Sequence, residues 1–243
     1  MSKRLPALAA VMLAFSLDGG VAQPVARTTS LPPSAVVSPD VFNSVALPVR
    51  NSRYSARWTR VVRTSSPFLP ALVQPARAFG RTQKAIFVNA LLNHRIGYRF
   101  DSKPSGDHWA TVQETLTSSS GDCEDFVIAK MQALRALGVP SEDLYMTIGN
   151  DVSAGAVHAI LLVRSGSQFL VLDNRADRLI PQEQYRDFYP ILSFSGNRTW
   201  LHGYRRGTMP DAVRAMQVTT LASTGKLPLG NSQSSARQIA SSR

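Results

Sequence analysis

The residues with the clearest chemical potential are Gly121-Asp122-Cys123-Glu124-Asp125, where one thiol lies among three carboxylates. Cys123 is the only cysteine in 243 residues, so an internal disulfide is excluded. Such a thiol is buried and inert, or reactive, or paired with another chain, and the count alone does not separate these. A nucleophilic cysteine needs a stabilised thiolate, an imidazole beside it and a group that orients the imidazole.

A helix that begins beside Cys123 would meet the first requirement. Phe126 to Leu137 carries a broad apolar face, and Gly138 and Pro140 follow at positions typical of a helix end. The unpaired N–H groups and the dipole of a helix N-terminus favour a thiolate. The flanking carboxylates oppose it, because nearby negative charge raises a thiol pKa. An imidazolium or a bound cation would be needed to offset them.

A predicted hairpin supplies a histidine and a carboxylate. Val157 to Arg164 and Gln168 to Leu172 are rich in strand-forming residues, and Ser165-Gly166 lies between them. If Ser165-Gly166 is a two-residue turn, His158 lies directly opposite Asp173 on one face. Directly opposed side chains have Cβ atoms about 4.5–5.5 Å apart, within hydrogen-bond reach for an imidazole and a carboxylate.

The face of the hairpin that carries His158 is otherwise apolar. We expect this face to pack on the central helix and thereby to bring His158 toward Cys123. Its predicted apolar members are Ile160, Leu162, Phe169 and Val171.

Each member of this trio also has a structural explanation. A lone cysteine at a helix start is usually a small core residue, and a lone strand histidine is usually structural. Asp173-Asn174 is typical of a turn that ends a strand. The three are not independent, since Cys, His and Asp in this order form the papain-like layout. Together they favour a catalytic triad of Cys123, His158 and Asp173 in an α+β fold.

The N-terminus has the pattern of a secretory signal peptide over residues 1–22. Lys3 and Arg4 precede a short apolar run, and Gly20-Val21-Ala22 offers small residues at a cleavage site. The run is too short to span a bilayer, and a membrane-proximal anchor is the alternative. Because no other long apolar run follows, we expect an exported protein that does not itself span the membrane.

One folded domain is expected between two tails. Residues 23–53, rich in Pro, Ser, Thr and Val, predict a disordered or extended linker. The domain occupies residues 54–203, with a clear helix at Arg81 to Arg95. Residues 204–243 predict a basic, Ser-rich and partly disordered tail. The net charge of +11 suggests anionic partners. However, the cations are scattered and no basic helix is interleaved with aromatics, which disfavours nucleic acid.

Several segments resemble the bacterial transglutaminase-like cysteine proteinases, the periplasmic LapG-type proteases. The resemblance covers roughly Tyr54 to Gly203, and the Gly-Asp-Cys-Glu-Asp motif is fairly specific. One departure is Val112, where family members usually have proline after Trp-Ala-Thr. The similar segments are Gly121 to Asp125, Leu134 with Gly138-Val139-Pro140, His158 in its strand, Leu172-Asp173-Asn174, Asp107 to Thr111 with Glu114, and the end near Trp200.

The resemblance implies a papain/transglutaminase-like fold with N-terminal helices and an antiparallel sheet that carries His and Asp. It implies that Cys123 is the nucleophile, that His158 is the base and then the acid, and that Asp173 orients it. It also implies calcium beside the cysteine, with Asp122 and Glu124 as matching ligands and Asp125 as a further candidate. The alternative is that these acids only cap the helix.

The resemblance further implies a substrate and a partner. The substrate would be a large surface adhesin, cut near its N-terminus to release cells from a biofilm. A separate inner-membrane receptor that senses cyclic di-GMP would sequester the protease.

We therefore predict a periplasmic, calcium-dependent cysteine endopeptidase. The Cys123 backbone N–H is the expected oxyanion donor, with Trp109 or Gln113 as a candidate second donor. The alternatives are a transglutaminase-type acyl transferase and a non-catalytic calcium-dependent binding module.

Overall fold

The computed structural model describes residues 37–100 and 108–214. The chain divides into the units Met1–Ser34 and Ala35–Arg243, and all described residues belong to the second unit. The predicted signal peptide over residues 1–22, the linker up to residue 36 and the tail from residue 215 lie outside the described residues. Within the two described ranges, every helix is too short or too polar to be a bilayer span.

The helices surround one central helix, which contacts all the others and the middle of the sheet. The predicted helix Arg81 to Arg95 is confirmed, and so is the helix that starts at Cys123. The described helices are α1 (Ser55–Arg63), α2 (Leu69–Val73), α3 (Arg81–Arg95), α4 (Val112–Ser118) and α5 (Cys123–Ala136).

Helix α5 is the core element of the domain. All its residues from Phe126 to Leu134 are buried, and each large apolar side chain there contributes about 1.5–3 kcal/mol by leaving water. The helix ends as predicted at Gly138, whose φ of 81° is the left-handed value that favours glycine. The Val139 N–H donates to the Leu134 carbonyl and the Gly138 N–H to the Arg135 carbonyl, the pattern of a Schellman motif.

The strands form a main antiparallel sheet and a small parallel pair. In the described part of the chain, the main sheet has the strand order β1-β9-β8-β4-β5-β6-β7, and β2 pairs with β3. The strands are β1 (Val45–Val49), β2 (Gly97–Tyr98), β3 (Ser120–Gly121), β4 (Leu144–Asp151), β5 (Ala156–Ser165), β6 (Gln168–Asp173), β7 (Ala176–Pro181), β8 (Phe188–Ser195) and β9 (Arg198–Gly203).

The predicted register of the β5–β6 hairpin is wrong by two residues. Arg164 pairs with Phe169 and Ser165 with Gln168, so the turn is Gly166-Ser167 rather than Ser165-Gly166. The φ of Gly166 is 65°, which suits glycine at the first turn position. Because side chains alternate with a period of two, a shift of two residues leaves every residue on its predicted face.

The predicted contact face of this hairpin is also wrong. The predicted face packs on the far side of the sheet, with Tyr145, Phe188 and Trp200. The opposite face packs against α5 through Ala159, Leu161, Val163 and Leu172. Both faces of β5 are apolar and buried, so alternation gave no indication of which one meets the helix.

The predicted linker over residues 23–53 is wrong at its C-terminal end. Val45–Val49 forms β1, which pairs antiparallel with β9, and Ala46 in this strand and Val41 just before it are buried. A strand of five residues that includes Pro48 has little intrinsic preference for the strand conformation. It forms because β9 offers a hydrogen-bonding edge and the far side of the sheet offers an apolar surface.

Candidate active site

The N-terminus of α5 is fixed by a reciprocal capping box. The Asp122 side chain accepts from the Asp125 N–H, and Asp125 Oδ2 accepts from the Asp122 N–H at 3.3 Å. Asp125 Oδ1 accepts from the Ala110 N–H at 2.7 Å. A Cβ on Gly121 would lie 2.6 Å from the Asp125 carboxylate, so glycine is required there. Cys123 is thus held at the first turn of the helix.

The Cys123 thiol is buried at 8% exposure and lies beside β5. Its Sγ–H donates to Glu124 Oε2 at 2.9 Å, and the Ala159 N–H donates to the sulfur. Burial raises the pKa of Cys123 well above its ordinary value, and the charges of Glu124 and Asp122 raise it further. The site therefore needs positive charge before the thiolate can form at neutral pH, as the sequence indicated.

His158 and Asp173 form a buried pair. His158 Nε2 lies 2.9 Å from Asp173 Oδ1, and the two residues are 7% and 4% exposed. Burial disfavours the charged carboxylate, but the hydrogen bond from His158 and the charges of His158 and Arg175 hold the pKa of Asp173 well below its usual range. Asp173 is therefore an anion that can orient an imidazole and stabilise its protonated form.

The structure pairs two of the three predicted catalytic residues, His158 and Asp173, and sets the Cys123 thiol against the neighbouring backbone of β5. The contact between Cys123 and the Ala159 N–H sets the sulfur beside the residue that follows His158. Helix α5 packs on β5, although it does so through the opposite face from the predicted one. The helix and the hairpin are therefore in contact, as predicted. His158 lies near the N-terminal end of β5, beyond the last residue pair of the β5–β6 ladder.

The acidic residues around Cys123 differ in their contacts. Both carboxylate oxygens of Asp125 accept hydrogen bonds from backbone N–H groups, so this residue has a structural function. A further function of Asp125 as a cation ligand stays a prediction. Asp122 and Glu124 direct negative charge at the Cys123 thiol. Carboxylate oxygens are ligands that suit a hard cation such as calcium. Within residues 37–100 and 108–214, no three His, Cys, Asp or Glu side chains form a metal-binding group.

The predicted second oxyanion donors have other contacts. Gln113 Oε1 accepts from Ser66 at 2.6 Å, and Gln113 Nε2 donates to Thr117 at 3.2 Å. Trp109 is fully buried and stacks on Tyr54 with ring centroids 5.3 Å apart. These contacts give both residues a packing function at the start of α4.

Sequence reasoning missed several residues beside the predicted triad. Arg175 and Tyr185 contact the Asp173 carboxylate, and Arg175 also contacts Asp151. Tyr98 pairs with Gly121 in the small parallel sheet. Burial raises its pKa, and the charges of Cys123, Asp122 and Glu124 raise it further. The only indication of these contacts in the sequence is the position of Arg175, two residues after Asp173.

This chain is similar to known proteins in both its sequence and its fold. A family model described as bacterial transglutaminase-like cysteine proteinase BTLCP matches residues 73–201, a range that contains Cys123, His158 and Asp173. Among curated proteins, none matches this chain.

Solved structures of Legionella pneumophila LapG have a similar fold. The calcium-bound form is 22% identical with a TM-score of 0.51, and the alignment covers 68% of this chain and 97% of that one. The EGTA-treated form is 22% identical with a TM-score of 0.50, and the alignment covers 66% of this chain and 94% of that one. At this identity the likeness concerns the fold, a helix and antiparallel-sheet arrangement of the transglutaminase-like type.

Proposed function

The chain belongs to the bacterial transglutaminase-like cysteine proteinases and is a cysteine protease, and from this premise we propose that Cys123, His158 and Asp173 are its catalytic triad. The observation that carries the proposal is the buried hydrogen bond of 2.9 Å between His158 Nε2 and Asp173 Oδ1, next to the Ala159 contact with the Cys123 sulfur. A buried histidine–carboxylate pair beside the only thiol is the arrangement that thiol proteolysis requires.

The proposed reaction follows from the two ring nitrogens of His158. Asp173 accepts from Nε2–H, which leaves Nδ1 as the base that takes the proton from the Cys123 thiol. The thiolate attacks the scissile carbonyl, and the negative oxygen is stabilised by the Cys123 backbone N–H at the start of α5. The imidazolium then protonates the leaving amine, and a thioester remains. Water, deprotonated by His158, hydrolyses the thioester and regenerates the thiol.

Calcium is the proposed cofactor, with Asp122 and Glu124 as its carboxylate ligands. The support is the raised pKa of the Cys123 thiol, which those two charges help to produce, and the existence of calcium-bound and EGTA-treated structures of LapG. A bound dication would offset both carboxylates and so favour the thiolate. Asp125 would continue to cap α5, since its two oxygens accept backbone N–H groups.

The proposed substrate is the N-terminal region of a large surface adhesin, whose cleavage would release cells from a biofilm. The proposed location is the periplasm, reached by means of the signal peptide predicted over residues 1–22. A membrane receptor that senses cyclic di-GMP is the proposed regulator. These three statements are supported by the family motifs in residues 73–201 and by the sequence of the N-terminus.

The test is incubation of the protein, without residues 1–22, with N-terminal adhesin fragments in calcium and in EGTA. We expect a defined cleavage that is lost in Cys123→Ala and reduced in EGTA. Mass spectrometry distinguishes hydrolysed peptide ends from the new isopeptide bonds that an acyl transferase would make. Cleavage that survives Cys123→Ala would refute the triad. Calcium binding combined with a Cys123 that iodoacetamide cannot modify would indicate a binding module instead.

The proposed calcium ligands can be tested without a substrate. Calcium at about 100 times its dissociation constant stabilises a folded protein by roughly 2.7 kcal/mol, so we expect the Tm of the wild-type protein to rise. The double variant Asp122→Asn with Glu124→Gln should lose that rise, whereas Glu183→Gln, an exposed acid in the segment between β7 and β8, should keep it. An equal rise in the double variant would exclude these two ligands.

A further inference from the structure

The Asp173 carboxylate is held on both oxygens, and not only by His158. Oδ1 accepts from His158 Nε2 at 2.9 Å and from the Arg175 backbone N–H at 3.1 Å. Oδ2 accepts from Arg175 Nε and Nη2, both at 3.1 Å, and from the Tyr185 hydroxyl at 2.7 Å. The carboxylate of Asp173 therefore receives five donors from three residues and has one orientation.

Arg175 extends this arrangement to the strand before His158. Its Nη2 lies 2.7 Å from Asp151 Oδ2 and 2.8 Å from the Tyr185 hydroxyl. Asp151 is the last residue of β4 and is 4% exposed. Its Oδ1 accepts from the Ser153 hydroxyl at 2.7 Å and from the Ala154 N–H at 3.0 Å. Asp151 thus fixes the turn that leads directly into β5.

We propose that Arg175, Tyr185 and Asp151 form a clamp that positions Asp173 against His158 for catalysis. They are positioning residues, since they act on the substrate only through the triad. The inference rests on the proposed function, because it assumes that Asp173 orients the catalytic imidazole. Asp151 ends the strand before β5, Arg175 lies in the turn that follows β6, and Tyr185 lies between β7 and β8. The clamp thus joins the chain just before β5 to the chain just after β6, so the relative position of His158 and Asp173 depends on it.

The choice of an arginine and a tyrosine has a physical reason. A guanidinium is a planar fork that contacts two carboxylates at once, while an ammonium is a single point of charge. Arg175 is the cation between Asp151 and Asp173, both about 4% exposed, so neither carboxylate is buried without a counter-ion. Burial raises the pKa of Tyr185, and the charge of Asp173 raises it further, which keeps its hydroxyl protonated as a donor.

A purely structural role is the competing explanation, and it makes different predictions. If the contacts only stabilise the loops, their loss would lower the Tm and leave the His158–Asp173 hydrogen bond unchanged in the folded protein. If they position Asp173, their loss would weaken that hydrogen bond while the protein remains folded. The imidazole N–H of His158 reports this directly by NMR, since an N–H donated to a buried carboxylate resonates far downfield and exchanges slowly.

The experiment uses full-length protein labelled with ¹⁵N-histidine in wild-type, Tyr185→Phe, Arg175→Ala and Arg175→Lys forms. The matched controls are Tyr189→Phe and Arg178→Ala, an arginine exposed on β7. The downfield N–H signal of His158 is assigned by its loss in His158→Gln. In parallel, the rate at which iodoacetamide alkylates Cys123 is measured at neutral pH, which is unambiguous because the chain has one cysteine.

We expect the His158 N–H signal to move upfield and to exchange faster in Tyr185→Phe and to vanish in Arg175→Ala. Alkylation of Cys123 should slow about threefold in Tyr185→Phe and about tenfold in Arg175→Ala, as expected for the loss of hydrogen bonds to a charged group. Arg175→Lys should lie between wild type and Arg175→Ala, because it keeps the charge and loses the fork. Both controls should match the wild type.

An unchanged His158 signal in folded Tyr185→Phe and Arg175→Lys would overturn the clamp, whatever the alkylation rates. Tyr185→Phe removes one hydroxyl and no charge, so it keeps the proposal testable if Arg175→Ala does not fold. A wild-type Cys123 that alkylates no faster than free cysteine would instead overturn the proposed catalysis, and the NMR signal would still decide whether the clamp holds Asp173.

Discussion

Two histidines are buried in the same sheet, and they differ in what surrounds them. His158, on β5, has the Asp173 carboxylate as its partner at 2.9 Å. His202, on β9, lies between two hydroxyls, with Ser44 Oγ 2.7 Å from Nδ1 and Ser193 Oγ 2.7 Å from Nε2. Their exposures are similar, at 7% and 9%. Burial alone therefore does not distinguish a candidate catalytic histidine from a structural one. The charge of the hydrogen-bond partner distinguishes them.

The difference has a direct electrostatic consequence. Burial lowers the pKa of His202 to about 4, although the charge of Asp40 partly opposes this, and its two hydroxyl partners carry no charge. His202 is thus a neutral ring on β9 that joins Ser44, just before β1, to Ser193 in β8. His158 instead has an anion as its hydrogen-bond partner. A carboxylate partner suits a histidine that takes up and releases protons, whereas hydroxyl partners suit one that only holds strands together.

The largest test of this comparison exchanges each histidine for glutamine. His158→Gln should lower kcat/KM for the adhesin fragment by about 10³-fold or more, since it removes the general base. His202→Gln should change kcat by less than about threefold in the folded protein, because no reacting group depends on it. Peptide cleavage followed by mass spectrometry measures both. Equal losses in the two variants would show that the partner's charge does not distinguish their functions.

The second test uses the pH dependence of stability. The unfolded chain protonates His202 near its ordinary pKa of 6.5, whereas the folded protein protonates it only near 4. Neutral His202 therefore contributes its full stabilisation of the folded protein above about pH 6.5, and this contribution is lost as the pH falls toward 4. The loss totals on the order of 3 kcal/mol. Urea unfolding between pH 8 and pH 4 should show this slope in the wild type and a smaller one in His202→Gln. Identical slopes would remove His202 from the acid sensitivity.

The smallest expected effect concerns Thr147, whose hydroxyl extends the hydrogen-bonded cluster of His202, Ser44 and Ser193. Thr147 Oγ1 lies 2.8 Å from Ser193 Oγ in the buried sheet. Thr147→Val keeps the shape and removes one hydrogen bond, so the free energy of unfolding should fall by about 1 kcal/mol. Thr59→Val, at an exposed position of α1, is the control with no expected loss. Reduced cleavage by folded Thr147→Val would contradict a purely structural cluster.

The sequence predicted the candidate triad because its features are local. A helix start, a two-residue turn and side-chain alternation place Cys123, His158 and Asp173 with few assumptions. The register was wrong by two residues, an error that alternation tolerates. The face of the hairpin was wrong because β5 is apolar on both sides, and only the tertiary structure decides which side meets α5.

Contacts between residues far apart in the sequence were not predictable in this way. Tyr185 reaches Asp173 across a separate loop, and no local pattern indicates such a contact. The sequence of β1 predicts a linker, because five residues with a proline show no alternation strong enough to indicate a strand. Its stability comes from β9, at the other end of the domain. The hydroxyl partners of His202 come from Ser44, just before β1, and from Ser193 in β8.

The pairing of β1 with β9 joins the first and last strands of the described fold. The hydrogen bond between Ser44 and His202 spans 158 positions of the chain. Closing so long a loop carries a large entropy cost before any contact repays it. The β1 edge can therefore form only after β9 exists, so it completes the sheet late in folding. Until then β9 is an unprotected strand edge, open to pairing with another chain.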